Sequence, residues 1–224
     1  MIKNLEYSVS TNFFGMAEVS LLASEFERAF NEIDDRKVGE NIVQLNSELI
    51  KNSGVLDAAS KRFKTHFTEA LNGSDISLAK VWLVKSQPKD TDPNKLPYLP
   101  HFDKHRYLKA MIYLHDVDKE HGPIHFGDLR SPSQIDVRRK ALPANYKELG
   151  LNTIKTSELK AGMEPVIGKK GDVVFFDTNA AHCAGIVSKG FERLVIRFDF
   201  DVRGFNPEKS FVQRLVHAIL SRLR

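Results

Sequence analysis

His101, Phe102 and Asp103 open the chemically informative part of this chain. In an extended segment positions i and i+2 point the same way, so an imidazole and a carboxylate two residues apart can converge on one metal ion from one face. A His-x-Asp pair alone recurs by chance, because the chain holds 8 histidines among its 224 residues. The second element is Gly171-Asp172-Val173-Val174-Phe175-Phe176-Asp177-Thr178-Asn179-Ala180-Ala181-His182. A Gly-Asp turn launches an apolar strand, a polar hairpin follows, and a histidine stands where the next strand should begin. A third candidate, Arg193, opens the run Glu192–Phe200. There Leu194, Ile196, Phe198 and Phe200 alternate with Arg193, Val195, Arg197 and Asp199, so one face is apolar and the other lines something polar. The planar fork of an arginine on that polar face can grip both oxygens of a carboxylate.

These residues must be delivered by a scaffold. From Ala17 to about Leu71 the apolar spacing predicts helix, with Val19, Leu22, Phe26 and Phe30 forming one stripe and Leu56, Phe63, Phe67 and Leu71 another after Gly54. Asn72-Gly73-Ser74-Asp75 is a strong stop, after which short β-rich runs appear at 78–85, 107–114, 124–126, 173–176 and 194–200. Helices followed by separated strands predict an α+β, mainly β arrangement in which helices brace an antiparallel sheet or jelly roll. We expect a single domain over 1–224: a helical bracing region at 1–74, a jelly-roll core at 75–203, and an amphipathic C-terminal helix at 204–224. The connection 127–165, with a short helix opening at Ser131-Pro132, is expected to be a lid that is mobile without ligand.

Composition sets the outer limits. Lys+Arg 33 against Asp+Glu 29 leave a net charge of +4 spread among 28% charged residues, which does not imply a nucleic-acid partner. No apolar run reaches membrane-spanning length. The single cysteine, Cys183, cannot form an intramolecular disulfide, and the first twenty residues lack a secretory pattern. A cytoplasmic location is therefore expected; oligomeric state is not legible.

Taken together, His101-x-Asp103, His182 and Arg193 resemble the iron(II)/2-oxoglutarate-dependent dioxygenases, in particular their phytanoyl-CoA-dioxygenase-like and prolyl-hydroxylase-like branches. The Tyr113-Leu114 strand end and the His121-Gly122-Pro123 hairpin add to the likeness, which spans about 78–200. The resemblance implies a double-stranded β-helix of the jelly-roll, cupin-like kind, with His101, Asp103 and His182 as iron(II) ligands. It also implies 2-oxoglutarate as cosubstrate, its distal carboxylate on Arg193 and Tyr113, converted to succinate as a small molecule is hydroxylated. Arg197 and Arg130 are candidate substrate contacts, and with Arg138, Arg139 and Lys140 in the lid they suit an anionic substrate. Gly127-Asp128-Leu129-Arg130 departs from the Gly-Ser-His that phytanoyl-CoA-dioxygenase-like members often carry there. His105 is an alternative ligand only if its segment is helical, and Cys183 should point away from the metal. Three other readings stand beside this one: a cupin-type isomerase or sugar-binding module, although cupins usually place His-x-His where this chain has His-x-Asp, a structural or interacting jelly-roll protein without a metal, and a hydroxylase of protein side chains.

Overall fold

The computed structural model describes residues 7–32 and 42–205. The elements run β1 (Tyr7–Ser10), α1 (Met16–Glu32), β2 (Ile42–Leu45), α2 (Ser47–Asn52), α3 (Gly54–Ala70), β3 (Ile76–Ser86), β4 (Leu108–Tyr113), β5 (Ile124–Gly127), α4 (Gln134–Lys140), β6 (Glu164–Pro165), β7 (Val173–Asp177), β8 (Ala181–Ala184) and β9 (Arg193–Val202). They build two antiparallel sheets, one of six strands in the order β1-β7-β4-β9-β3-β2 and one of three in the order β6-β5-β8. This mostly antiparallel architecture with few helices is compatible with a jelly roll.

The helices form where the apolar stripes stand. Val19, Leu22, Phe26 and Phe30 of α1 are buried, as are Leu56, Phe63 and Phe67 of α3. Asn46 caps α2 by accepting from the Leu49 amide at 2.8 Å, and Ser53 caps α3 through the Leu56 amide at 3.4 Å. Helix α3 stops at the expected place, where Asn72 and Gly73 take φ of 52° and 84° and the Gly73 amide donates to the Thr68 carbonyl at 2.8 Å.

Strand β9 splits its side chains as the alternation requires. Ile196, Phe198 and Phe200 join the core shared with α1 and α3, and Leu194 packs against it. Val195 instead enters a second cluster with Met111, Tyr113, Val174 and Phe176 of the large sheet and Ile124 and Phe126 of the small one. One face of the large sheet therefore belongs to the helices and the other to the interior between the sheets.

Two details differ from the sequence expectation. The stretch 17–71 is not helical throughout: β2 interrupts it and pairs antiparallel with β3, Val43 opposite Leu83. Strand β1, also unexpected, adds an edge to β7, with Tyr7 opposite Phe176. Both strands are four residues long, and their apolar residues find meaning only against a partner. The 127–165 connection holds α4 and β6, and its Leu129, Ile135, Ile154 and Leu159 form a third cluster with Phe102 and Ala181. The C-terminal helix expected at 204–224 falls, beyond residue 205, outside the described residues. Among the described residues no helix is long and apolar enough to cross a membrane.

Candidate functional site

His101 and His182 meet as an isolated antiparallel bridge, each amide donating to the other's carbonyl at 3.0 Å. This pairing brings the two halves of the chain together and sets the imidazoles side by side, with centroids 4.5 Å apart. Each Nδ1 is occupied by a nearby carbonyl, Leu99 at 2.8 Å for His101 and Ala180 at 2.9 Å for His182. With Nδ1 as the protonated nitrogen, Nε2 carries the free lone pair on both rings, the arrangement found in metal-ligating histidines. Asp103 Oδ1 stands 3.6 Å from the Nε2 of His101 and 3.7 Å from that of His182. One ligand atom from each of the three residues lies within 4.8 Å of the others, and among the described residues this is the one such group of three.

The electrostatics match that geometry. Burial works to raise the Asp103 carboxyl, but Lys109 and the two imidazoles outweigh it and hold the group well below the usual carboxylate range. Burial pushes His182 down, and the neighbouring His101 adds to this. An ionised carboxylate beside a neutral imidazole is the protonation state in which these side chains ligate a cation.

The structure separates the decoys from this group. His105 lies in a non-helical segment with its Nε2 2.7 Å from Asp201 Oδ1. Cys183 is buried in β8 opposite His125, and desolvation pushes its thiol up to about 11. It is therefore neither a nucleophile nor a ligand in this site.

Arg193 sits at the start of β9, opposite Ser86 of β3, and is 5% exposed. Its guanidinium donates to the Gly122 carbonyl and, at 3.2 Å, to Ser86 Oγ. Its buried Nε has no partner. Burial lowers its pKa, against a smaller opposing effect of Tyr113 and Tyr98, and among the described residues no carboxylate pairs with it. A desolvated cation without an anion is costly, and a carboxylate entering from outside would relieve that cost. The Gly122 carbonyl can lie here because Gly122 takes φ of 65°, and a Cβ on it would fall 2.7 Å from the Gly185 carbonyl oxygen. Tyr113 is fully buried, donates to the Val166 carbonyl at 2.7 Å, and is pushed by desolvation up to about 12.

Arg197 is on the same face of β9, but Asp199 holds it through Nε at 2.9 Å and Nη2 at 3.2 Å, and its guanidinium lies 5.2 Å from the centre of the Trp82 ring. The indole N–H of Trp82 donates to the same Asp199 carboxylate at 2.9 Å. Arg130 is exposed. Two of the basic residues of the 127–165 segment are already committed: Arg138 pairs with Glu158 at 2.7 Å, and Arg139 is buried and held to Asp136 at 2.6 Å.

Three residues that sequence reasoning did not assign to the metal group surround it. Lys109, buried on β4, places Nζ 2.5 Å from Asp103 Oδ2. Arg139 of α4 donates from Nε to the Asp103 carbonyl at 3.0 Å and also grips Asp136 and the Asn179 side chain. Asn152 brackets Phe102, accepting at its carbonyl from the Phe102 amide at 3.1 Å and donating from Nδ2 to the Phe102 carbonyl at 2.9 Å. A lysine within the otherwise apolar β-rich run 107–114 was the one signal available for Lys109. Arg139 and Asn152 gave none, since they reach the group from the distant 127–165 connection.

The comparisons agree with this architecture. No protein-family profile and no curated protein matches the sequence. Among solved structures, HygX from Streptomyces hygroscopicus with nickel and 2-oxoglutarate bound is 17% identical, with a TM-score of 0.61 over 91% of this chain and 85% of HygX. The epimerase SnoN from nogalamycin biosynthesis, in complex with Fe3+, alpha ketoglutarate and nogalamycin RO, is 18% identical at TM-score 0.61, covering 90% of this chain and 87% of its own. A prolyl 4-hydroxylase structure from Phytophthora capsici is 18% identical at TM-score 0.61, covering 98% of this chain and 69% of its own. This chain thus shares its fold with HygX, with the alpha ketoglutarate dependent epimerase SnoN and with a prolyl 4-hydroxylase.

Proposed function

We propose that this protein is an iron(II)- and 2-oxoglutarate-dependent dioxygenase acting as a hydroxylase on a small organic molecule. Two features carry the reading together: the His101, Asp103 and His182 donor set, and the buried Arg193 guanidinium with an unpartnered Nε and, among the described residues, no carboxylate beside it. Two imidazoles and one carboxylate on one face suit iron(II) and leave its opposite side open. Bound there, iron(II) with 2-oxoglutarate supplies oxidative decarboxylation of the cosubstrate by dioxygen to succinate and carbon dioxide, coupled to two-electron oxidation of the substrate.

The chain's own residues do the positioning. Arg193 fixes the distal carboxylate of 2-oxoglutarate, and its hydrogen bonds to the Gly122 carbonyl and Ser86 hold the guanidinium in place beforehand. Tyr113 and Tyr98 line that end. Met111, Val174, Phe176 and Val195 form an apolar interior that excludes water from the reacting groups. Asp199 grips Arg197 against Trp82, and together they make a rigid polar and aromatic wall for the substrate to pack against.

The test is succinate formation by the purified protein with iron(II), 2-oxoglutarate and oxygen, screened against a library of small organic acids. Turnover of 2-oxoglutarate that rises with one library member and disappears in His182→Ala supports the reading. No 2-oxoglutarate consumption under any of these conditions, with iron bound, refutes it and returns the cupin-type alternative.

A further inference from the structure

Within the metal centre proposed above, we infer that Lys109 is a positioning residue that keeps Asp103 a one-oxygen ligand. The two carboxylate oxygens of Asp103 stand in different surroundings. Oδ1 faces both imidazoles, 3.6 Å from one Nε2 and 3.7 Å from the other, and is the atom that completes the donor set. Oδ2 is held by Lys109 Nζ at 2.5 Å. An ammonium on one carboxylate oxygen withdraws that oxygen from the cation, both by occupying its lone pairs and by placing a positive charge where the metal would otherwise approach.

The fold fixes Lys109 in this task. It stands on β4, the central strand that pairs with both β7 and β9, between Phe176 on one side and Asp199 on the other. The side chain is 7% exposed and its Nζ lies 5.8 Å from the Phe176 ring centre. A lysine stem this buried has little rotamer freedom, so the ammonium cannot leave the carboxylate for solvent. From the opposite side Arg139 holds the Asp103 carbonyl and the Thr178 carbonyl accepts from the Asp103 amide at 3.3 Å. Asp103 is thus fixed at its backbone from one side and at Oδ2 from the other, leaving Oδ1 alone to ligate.

This has a chemical consequence. A carboxylate that chelates through both oxygens takes two positions on the cation, and 2-oxoglutarate needs two adjacent positions for its keto-acid end. By reserving Oδ2, Lys109 protects the cosubstrate's places without being a ligand itself.

The test uses cobalt(II) as a spectroscopic probe in the full-length protein, without turnover. Wild type and Lys109→Met are titrated anaerobically with cobalt(II), and the visible d–d bands are recorded before and after addition of 2-oxoglutarate. The expected result is one cobalt per chain in both proteins, an altered d–d spectrum in the variant, and 2-oxoglutarate affinity lower by on the order of tenfold, the low end of what losing an outer partner costs a metal site. Lys109→Gln carries a shorter, uncharged donor and serves if Lys109→Met does not fold; it should shift the bands in the same direction. Superimposable cobalt spectra in wild type and a folded Lys109 variant, with equal 2-oxoglutarate affinity, overturn the role of Lys109 while leaving the metal centre intact. Failure of wild type to bind cobalt at one per chain is a different result, which removes the metal centre itself.

Discussion

Replacing Arg193 with Leu separates cosubstrate binding from metal binding and from folding. The guanidinium is almost wholly buried, and among the described residues its Nε is unpartnered and no carboxylate answers its charge. Loss of a charge-assisted pair from such a site costs about 2–5 kcal/mol, much of it from leaving the ligand's carboxylate buried and alone. At about 1.4 kcal/mol per decade this is roughly 30-fold to a few thousand-fold in 2-oxoglutarate affinity. Without ligand the same substitution should change the melting temperature little. Removal of an uncompensated buried charge offsets the lost hydrogen bonds to the Gly122 carbonyl and Ser86. The assay is calorimetric titration of 2-oxoglutarate into the anaerobic metal-loaded protein, with metal stoichiometry measured in parallel. Arg197→Leu is the internal control: its guanidinium is already neutralised by Asp199, so cosubstrate affinity should stay within a few-fold of wild type. A 2-oxoglutarate affinity in Arg193→Leu within threefold of wild type would refute the assignment, and a steep loss in Arg197→Leu alone would move the anchor two residues along the strand.

Other substitutions probe the centre and its supports. His182→Ala should abolish stoichiometric iron binding measured by elemental analysis, whereas His105→Ala, whose ring partners Asp201, should retain it. Arg139→Leu removes the hold on the Asp103 carbonyl, Asp136 and Asn179 together, and we expect a loss of about 2 kcal/mol in denaturant unfolding along with weaker metal binding. Phe63→Ala empties a fully buried position between α3 and the large sheet and should cost about 3–5 kcal/mol in the same measurement. His66 stacks on Phe175 at 4.1 Å, and burial lowers its pKa below the ordinary histidine value. The unfolded chain then binds its proton more readily, so stability should fall as pH drops through about 6.5, a slope that His66→Phe should flatten in unfolding curves measured across pH.

Local chemistry made much of this protein legible in its sequence. The apolar stripes of α1 and α3, the Asn72-Gly73 stop and the strict alternation of β9 are short-range patterns, and each reappears at its place in the structure. The grouping of His101, Asp103 and His182 was legible as well, because His-x-Asp spacing and a strand-borne histidine are local features with a definite chemical use. What the tertiary structure decided is everything that depends on distant partners. Strands β1 and β2 are too short to announce themselves, and they exist because β7 and β3 offer them edges. Arg197 and Arg193 look alike along the strand, and only the Asp199 grip on one and the missing carboxylate at the other tell them apart. Lys109, Arg139 and Asn152 lie 6 to 49 positions from Asp103 along the chain, and no periodicity links them to it. They reach Asp103 and its neighbour Phe102 because sheet pairing and the cluster around Phe102 fold the chain back on itself, where burial makes each hydrogen bond count.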